Sequence, residues 1–485
     1  MEFKNLSLKE IIAWIKAKKF SQKEVWDYFQ ERIKKLDPTL DAFNLVNSNF
    51  VEKDINSTLA GVPIWVKDVF CEKWVTTTAS SRMLENFVPP YSATVIDRLN
   101  KAGMSSAGKL NLDEFAMGWS GENSALRITK NPWDITRIPG GSSSWSASSV
   151  ASGMIPAALG TDTGWSIRQP ASMCGIVGFK PTYGLNSRWW VMAMASSLDT
   201  PGTFTKTVED AGLLFGIMSG FDPLDSTSEK VDTKIDPSIW NKTDLKWVKI
   251  WVPKEYFIDG IEAWVKSEIE KSISKLKELW AEIIDISLPH TEYWLAVYYI
   301  VMPAEVSTNL SRYDGVRYGY ANDEWLGINE LLKKNRAEWF WKEAQRRIML
   351  GSFVLSSGFY DAYYKKASLV RELIKKDFEE AYKKVDVIIT PTAPSVAWKI
   401  WEKVDDPLKM YLSDIFTVNG SLAQLPWLSI PVWFAKSEDS EQVELPVGLQ
   451  ILGPKFWEQK VFEVWHVLEQ SLKDYIWSKK PKIWN

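Results

Sequence analysis

The sequence predicts an α/β protein with a mixed central sheet covered by helices on both faces. Two stretches carry this prediction. The strand-like run VPIWVKDVF precedes a helical pattern over 94–102 and a short strand near residue 105. The run KWVKIWVP precedes a helix over 262–279 and the strand-like AEIIDIS. Alternation of strands and helices is typical of a parallel or mixed sheet with helices packed against it.

Two helix-start motifs organise the N-terminus. Ser7 and Ser21 are each followed three residues later by Glu, the capping-box pattern of a first helical turn. We expect these N-terminal helices, within residues 1–60, to pack on a main domain over 61–475, followed by a short tail over 476–485.

The last third of the chain continues the α/β pattern. A long helix is predicted near 361–384, followed by the strand VDVIIT, which ends at Pro391, and by two apolar strands, LSIPVWF and LPVGLQILG. The chain has no internal repeat, and its length allows one large core or two domains, with the polar stretch at 222–244 as a plausible surface connection.

Charge and residue counts exclude several function classes. The 58 Lys and Arg nearly balance the 61 Asp and Glu, so no broad basic field is available to bind nucleic acid by charge alone. The two histidines, His290 and His466, and the two cysteines, Cys71 and Cys174, lie in no zinc-binding or catalytic-triad motif. An enzyme of this composition would use Lys or a carboxylate as its base, and we expect it to bind no metal.

The N-terminus gives no sign of export. The run MEFKNLSLKEIIAW lacks a basic stretch followed by an apolar one, and no segment of about 18 uncharged apolar residues occurs. Two cysteines are too few for a disulfide framework. We therefore expect a cytoplasmic protein.

Tryptophan is unusually frequent and is placed where backbone geometry favours a residue without a side chain. The chain has 27 Trp and 26 Gly, whereas average usage of about 7% would give roughly 34 Gly. Trp280 stands between a helical and a strand-like run, at the C′ position where a left-handed conformation favours Gly. Trp145 and Trp165 lie inside glycine-serine segments.

We hypothesise that most of these residues are glycine in the organism, encoded by UGA codons that its own code reads as Gly. Trp427 and Trp433, which bracket the strand LSIPV, belong to this set, whereas Trp133, in NPWD, is a candidate for a genuine Trp. The alternative, a protein with aromatic binding faces, predicts Trp at helical or strand periodicity, and the sequence lacks that periodicity.

Two glycine-serine segments, PGGSSSWSASSVASG and GTDTGWSIRQPAS, flank the helix-compatible run VASGMIPAALGTDT. A flexible linker is one alternative, but the ordered run between the segments argues against it. Two such loops can bring hydroxyls together with free backbone N–H groups, which form an anion-binding nest. A phosphate loop is disfavoured because neither segment has the G-x-x-x-x-G-K-[ST] order.

These segments, together with VPIWVKD, GTDTGWSIRQPASMCGIVGFKPTYG and RRIMLGSFVLSSGFYDAYYKK, resemble the amidase signature family. Within it they resemble most the A subunits of glutamyl-tRNA(Gln)/aspartyl-tRNA(Asn) amidotransferases. The similarity extends from about residue 5 to residue 475 and implies a single large amidase domain. Reading Trp as Gly improves the match at positions 65, 74, 119, 145, 165, 190, 251, 280, 339, 341, 427 and 433.

The resemblance implies a Ser-Ser-Lys site with Ser166 as nucleophile, Ser142 as a bridging serine, often next to a cis peptide, and Lys67 as base. A hydroxyl is a poor nucleophile until a neighbour removes its proton, and a lysine can do so only if burial lowers its pKa. The apolar strand VPIWVKDVF makes that burial plausible. Lys67 alone could equally be a surface lysine beside Asp68.

The same resemblance places the oxyanion hole at the backbone N–H groups of Thr163, Gly164, Trp165 and Ser166. Backbone that lines such a hole usually requires Gly for close approach. A literal Trp165 would therefore block or distort the hole, and we expect very weak amidase activity from it.

Glutamine specificity requires groups for the α-carboxylate and the α-ammonium of the substrate. Arg347 and Asp414 match positions with those roles in the resembling subunits. From the sequence alone, each could instead belong to a structural ion pair. Asp162 and Arg168 flank the nucleophile, and we expect them to hold its loop in place.

The resemblance implies an enzyme subunit that releases ammonia from glutamine for the amidation of misacylated Glu-tRNA(Gln) or Asp-tRNA(Asn). The chain has no ATP motif, so it is expected to bind no cofactor itself, with ATP and Mg²⁺ used through a B subunit, a C subunit clamping the complex, and tRNA held mainly by the partner. Two alternatives stay open: a stand-alone amidase, and an inactive scaffold if the tryptophans are literal.

Overall fold

The computed structural model describes residues 2–253, 256, 260–317, 319–322, 324, 327–403, 413–437 and 440–484. Within these ranges, no helix combines the length and the hydropathy that a membrane crossing requires.

The strands of the described residues form one mixed sheet of eleven members. Its strands are β1 (Phe43–Val46), β2 (Pro63–Lys67), β3 (Ser105–Leu110), β4 (Ala158–Asp162), β5 (Val177–Lys180), β6 (Thr200–Thr205), β7 (Lys249–Trp251), β8 (Glu282–Ile284), β9 (Val387–Pro391), β10 (Trp427–Ser437) and β11 (Ser440–Leu452).

The order across the sheet is β1-β3-β2-β4-β6-β5-β10-β11-β9-β7-β8. β2 is parallel to both β3 and β4, and β7 is parallel to both β8 and β9. The central strands from β4 to β9 pair antiparallel. Together with the helices, this sheet confirms the predicted fold class.

The helices are α1 (Leu8–Lys16), α2 (Gln22–Leu40), α3 (Thr94–Lys101), α4 (Ser144–Ala151), α5 (Arg168–Cys174), α6 (Val208–Met218), α7 (Ala263–Glu278), α8 (Trp294–Leu310), α9 (Ile328–Trp339), α10 (Lys342–Val354), α11 (Lys366–Ala381), α12 (Val418–Leu422) and α13 (Glu458–Ser478).

Both predicted capping boxes are present. The hydroxyls of Ser7 and Ser21 accept the backbone N–H of Glu10 and Glu24, and each glutamate side chain accepts the serine N–H in return. The two helices bury apolar side chains in the same core as β2, where the rings of Phe29 and Trp65 lie 6.5 Å apart.

Two helix predictions need correction. The run VASGMIPAALGTDT is not one helix: α4 begins inside the first glycine-serine segment and ends at Ala151, and residues from Ala158 form β4. Gly153, with a φ of +68°, and Pro156 end the helical conformation, and pairing with β2 and β6 stabilises the strand. The helix predicted near 361–384 starts as a π-helical segment, Tyr360–Lys365, before α11.

Candidate active site

Adjacent strands and their following loops bring the predicted catalytic residues to one edge of the sheet. Lys67 is the last residue of β2, and β4, its parallel neighbour, leads into the loop that carries Ser166. Ser142 lies just before α4. The carboxyl ends of neighbouring parallel strands are a common position for active sites in α/β proteins.

Lys67 is fully buried, which contradicts the surface-lysine alternative. Its Nζ lies 2.8 Å from Ser142 Oγ and 2.9 Å from Thr161 Oγ1. Burial lowers the pKa of Lys67 to about 7, although the carboxylates of Asp113, Asp162 and other nearby acids act in the opposite direction. A substantial fraction of this amine is therefore neutral at physiological pH and can accept a proton.

The two serine loops are in direct contact through their backbones. Ser143 N–H donates to Ser166 O at 3.2 Å, and the Gly141–Ser142 peptide bond is cis, as the resemblance implied. Among the described residues, no hydrogen bond joins the hydroxyls of Ser142 and Ser166. Hydrogen bonds of this kind often form only when substrate is bound.

A buried ion pair holds the loop of the expected oxyanion hole. Arg168 and Asp162 are both fully buried and lie 2.9 Å apart, and Arg168 also donates to the carbonyl oxygen of Gly164. Burial acts to raise the pKa of Asp162, but Arg168, Lys180 and the backbone N–H of Ile167 together outweigh it, and the pKa lies below its usual range. Thr163 Oγ1 donates to Asp199 at 2.7 Å. The placement of Asp162 and Arg168 agrees with the expectation that they hold the loop.

Sequence reasoning missed three polar residues of the site. Thr161 contacts Lys67, Asp199 contacts the loop of the oxyanion hole, and Tyr299 Oη donates to Asp414 at 2.7 Å. The pairing of β2 with β4 could have indicated Thr161. No sequence motif marks the other two, because they reach the site from distant segments.

Arg347 and Asp414, the predicted glutamine-binding residues, are both buried. Glu343 accepts from Arg347 Nε at 2.8 Å, so one side of the guanidinium is paired. Arg347 Nη2 and Asp414 Oδ1 have no hydrogen-bond partner among the described residues. Because an unpaired buried polar atom is costly, both atoms are suited to a charged ligand.

Two indoles occupy the space beside these groups. The ring of Trp119 lies 4.7 Å from the guanidinium of Arg347, and its Nε1 donates to Asp414. Trp165 stacks parallel to Trp119, with ring centroids 5.8 Å apart, and also packs against Tyr298. The indole of Trp119 therefore fills the position between the two groups expected to bind glutamine.

The backbone at several tryptophans has the conformation that favours glycine. Positive φ angles occur at Trp74 (64°), Trp190 (58°), Trp247 (69°), Trp280 (72°) and Trp401 (71°). The left-handed position predicted for Trp280 is thus present. A positive φ angle is rare for a residue as bulky as Trp. Five such residues in one chain therefore support the hypothesis that these positions favour Gly.

Hydrogen bonding divides the tryptophans, although not along the line of the glycine hypothesis, because the indole N–H groups of Trp119, Trp165 and Trp433 also donate. The buried indole N–H groups of Trp65, Trp251, Trp339, Trp398 and Trp427 lack a partner among the described residues. By contrast, Trp133 donates to Cys174 O at 2.8 Å, as a genuine buried Trp would. The backbone at Trp145, which lies within α4, is helical. Its φ angle therefore does not support Gly at this position.

Comparison with known proteins agrees with this geometry. The sequence profile of the Amidase family matches residues 24–462. The chain is 48% identical, over 98% of each chain, to the A subunit of glutamyl-tRNA(Gln) amidotransferase from Thermoanaerobacter pseudethanolicus. It is 46% identical, over 96% of each chain, to the corresponding subunit of Persephonella marina.

A solved structure extends the similarity to three dimensions. The crystal structure of the A subunit of glutamyl-tRNA(Gln) amidotransferase from Thermotoga maritima matches with a TM-score of 0.82 and 39% identity, over 97% of this chain and 95% of that one. The family profile, the full-length relatives and the fold agree, and the chain belongs to the amidase family.

Proposed function

We propose that this chain is the glutamine-hydrolysing A subunit of a tRNA-dependent amidotransferase. The observation that carries the proposal is the buried pair of Lys67 and Ser142, together with Arg347 and Asp414, whose free polar atoms suit the two charged groups of an amino acid. Stacking of Trp119 on Trp165 links Arg347 and Asp414 to the loop of Ser166. Relatives that are 46–48% identical over nearly the whole chain are named as A subunits of glutamyl-tRNA(Gln) amidotransferase.

In the proposed reaction, Ser166 Oγ attacks the side-chain amide carbon of glutamine. A C–O bond forms between Ser166 and this carbon, while the proton of the Ser166 hydroxyl passes through the hydroxyl of Ser142 to the neutral amine of Lys67. When the tetrahedral intermediate collapses, the C–N bond breaks and Ser142 returns a proton to the departing ammonia. Water then attacks the ester by the same route, which releases glutamate and restores the free hydroxyl of Ser166.

The oxyanion of this intermediate would be bound by backbone N–H groups within 163–166. The Asp162–Arg168 pair and the bond from Thr163 to Asp199 fix this loop before substrate arrives. A hole that is already formed requires no reorganisation during the reaction, which is the main source of its effect on rate.

The ammonia would be used by other subunits. We infer a B subunit that activates misacylated Glu-tRNA(Gln) or Asp-tRNA(Asn) with ATP and Mg²⁺, and a small C subunit that joins the two. This chain would contact tRNA mainly through its partner, because its net charge of −3 provides no basic field.

Ammonia release from glutamine tests the proposal against its main alternative, a stand-alone amidase. The purified chain with Trp119→Gly and Trp165→Gly, alone and with its partner subunits, is compared on glutamine and on propionamide, which lacks both α-substituents. We expect a strong preference for glutamine. Equal turnover of the two amides would support the stand-alone amidase, and no turnover of either would support the inactive scaffold.

We further propose that positions 119 and 165 are glycine in the protein that the organism makes. Glycine at both positions would remove the indoles from the space beside Arg347 and Asp414 and leave room for glutamine. Peptide mass spectrometry of the native protein tests this directly, with Trp133 as the internal control for a genuine Trp. Detection of Trp at 119 and 165 would refute the proposal.

A further inference from the structure

Glu114 is a buried carboxylate outside the catalytic set described above. It lies in the 3-10 turn Glu114–Ala116 and is only 1% exposed. Its Oε1 accepts from Ser81 Oγ at 2.6 Å, and its Oε2 accepts from the backbone N–H of Trp341 at 2.7 Å. Burial of a carboxylate costs free energy, so a glutamate at this position indicates a structural or functional role.

The contact with Trp341 fixes the beginning of α10. Trp341 is the N-cap residue of this helix, and no side chain caps the helix from within. A carboxylate at this end is also favoured by the helix dipole. Glu114 thus supplies, from a distant part of the chain, the contact that a capping box would otherwise provide.

The same helix carries the guanidinium that faces the glutamine pocket. Arg347 lies six residues after Trp341 and is held by Glu343, in the first turn of α10. At a rise of about 1.5 Å per residue, roughly 9 Å of helix separate the anchored end from Arg347. A shift or rotation at the start of α10 would therefore move Arg347.

The segment that carries Glu114 is also tied to the catalytic loop. Asp113 accepts the backbone N–H of Gly121 at 3.2 Å and of Asn123 at 2.9 Å, and its own N–H donates to Ser142 O at 3.3 Å. Two adjacent acids therefore join the serine loop to the helix that carries Arg347.

We propose that Glu114 is a positioning residue for glutamine recognition, which holds the start of α10 so that Arg347 faces the substrate carboxylate. The inference rests on the proposed glutaminase function. It assigns Glu114 no contact with the substrate or with the reacting atoms.

Steady-state kinetics test the proposal. The parent is the full chain with W119G and W165G, and the variants add Glu114→Ala or Glu114→Gln to it. Loss of the anchoring contact in Glu114→Ala is expected to raise KM for glutamine about tenfold, with a small change in kcat. Turnover of propionamide, which has no α-carboxylate, should be unchanged. Glu114→Gln should recover most of the loss, because its amide can accept from Trp341 N–H and donate to Ser81 Oγ.

The matched control is Glu469→Ala, which removes another buried glutamate that accepts a backbone N–H, here from Val208 at 3.0 Å. This variant should leave the ratio of glutamine turnover to propionamide turnover unchanged. Equal losses on glutamine and propionamide in Glu114→Ala, or no loss on either, would overturn the inference alone. A parent chain that releases no ammonia from glutamine would overturn it together with the proposed function.

Discussion

The buried position of Lys67 predicts a specific pH profile for amide hydrolysis. With its pKa lowered to about 7 by burial, the neutral fraction of Lys67 would rise from about 9% at pH 6 to about 91% at pH 8. The proton-accepting form is the deprotonated one, so kcat/KM should rise about tenfold over this interval and level off above pH 8.

An ordinary lysine would give a different curve. At a pKa of about 10.4, less than about 1% of the amine would be neutral at pH 8, and the rate would climb about tenfold per pH unit without levelling. The assay is ammonia release by the chain with Trp119→Gly and Trp165→Gly, with glutamine well below its KM, from pH 5.5 to 9.5. A profile that still climbs above pH 8.5 would refute the role given to the burial of Lys67.

Other buried groups with pKa values near 7 make controls necessary. Burial lowers the pKa of Lys206 to about 7 and raises that of Glu114 to about 7. Lys206 Nζ donates to the carbonyl oxygens of Lys4 and Leu6, away from the serine loops. Lys206→Met and Glu114→Gln should therefore leave the midpoint of the pH profile of kcat/KM near pH 7. A midpoint that disappears in either variant would assign the titration to that group instead of Lys67.

Further substitutions test the remaining roles. Ser166→Ala should lower kcat by at least about 10³-fold while glutamine still binds, as measured by ammonia release and calorimetry; wild-type turnover would refute its role as nucleophile. Asp414→Asn should raise KM for glutamine about tenfold or more and leave propionamide turnover unchanged, and equal effects on both would contradict its role in binding. Asp162→Asn should lower the free energy of unfolding by about 3–5 kcal/mol, because it leaves Arg168 buried and unpaired; denaturant unfolding measures this, and a loss below about 1 kcal/mol would contradict it.

Sequence reasoning was most successful where local pattern determines structure. The capping boxes at Ser7 and Ser21, a strand that includes Lys67, and the burial of Lys67 all follow from short stretches of residues. The strand ends at Lys67, three residues before the end of the predicted run VPIWVKDVF. The helix expected through Ala158 was wrong because pairing with β2 and β6 overrides a weak helical preference.

The inner arrangement of the site depends on contacts between distant segments and could not be predicted from any one of them. Trp119 meets Arg347 of α10, Tyr299 of α8 and Asp414, three residues that are far apart in the chain. The twelve positions where Gly improves the family match include both indoles that fill the pocket. The sequence therefore indicated which residues were anomalous, but only the structure places Trp119 against Arg347 and Asp414, and Trp165 against Trp119.

Backbone energetics provide a test of the glycine hypothesis that is independent of catalysis. Left-handed backbone costs an L-residue roughly 1–2 kcal/mol, so the five tryptophans with positive φ would together cost roughly 5–10 kcal/mol. Because the net stability of a domain is about 5–15 kcal/mol, a literal Trp at all five positions would oppose much of it.

Trp280 is the best position for this test because its side chain is 68% exposed, so removal of the indole loses little buried area. We expect Trp280→Gly to raise the free energy of unfolding by about 1 kcal/mol, since glycine adopts positive φ without strain. Trp280→Ala is the matched control: it removes the indole but keeps a Cβ, and so should not stabilise the chain. Equal stabilities of the two variants in denaturant unfolding would show that the backbone at this position does not favour glycine.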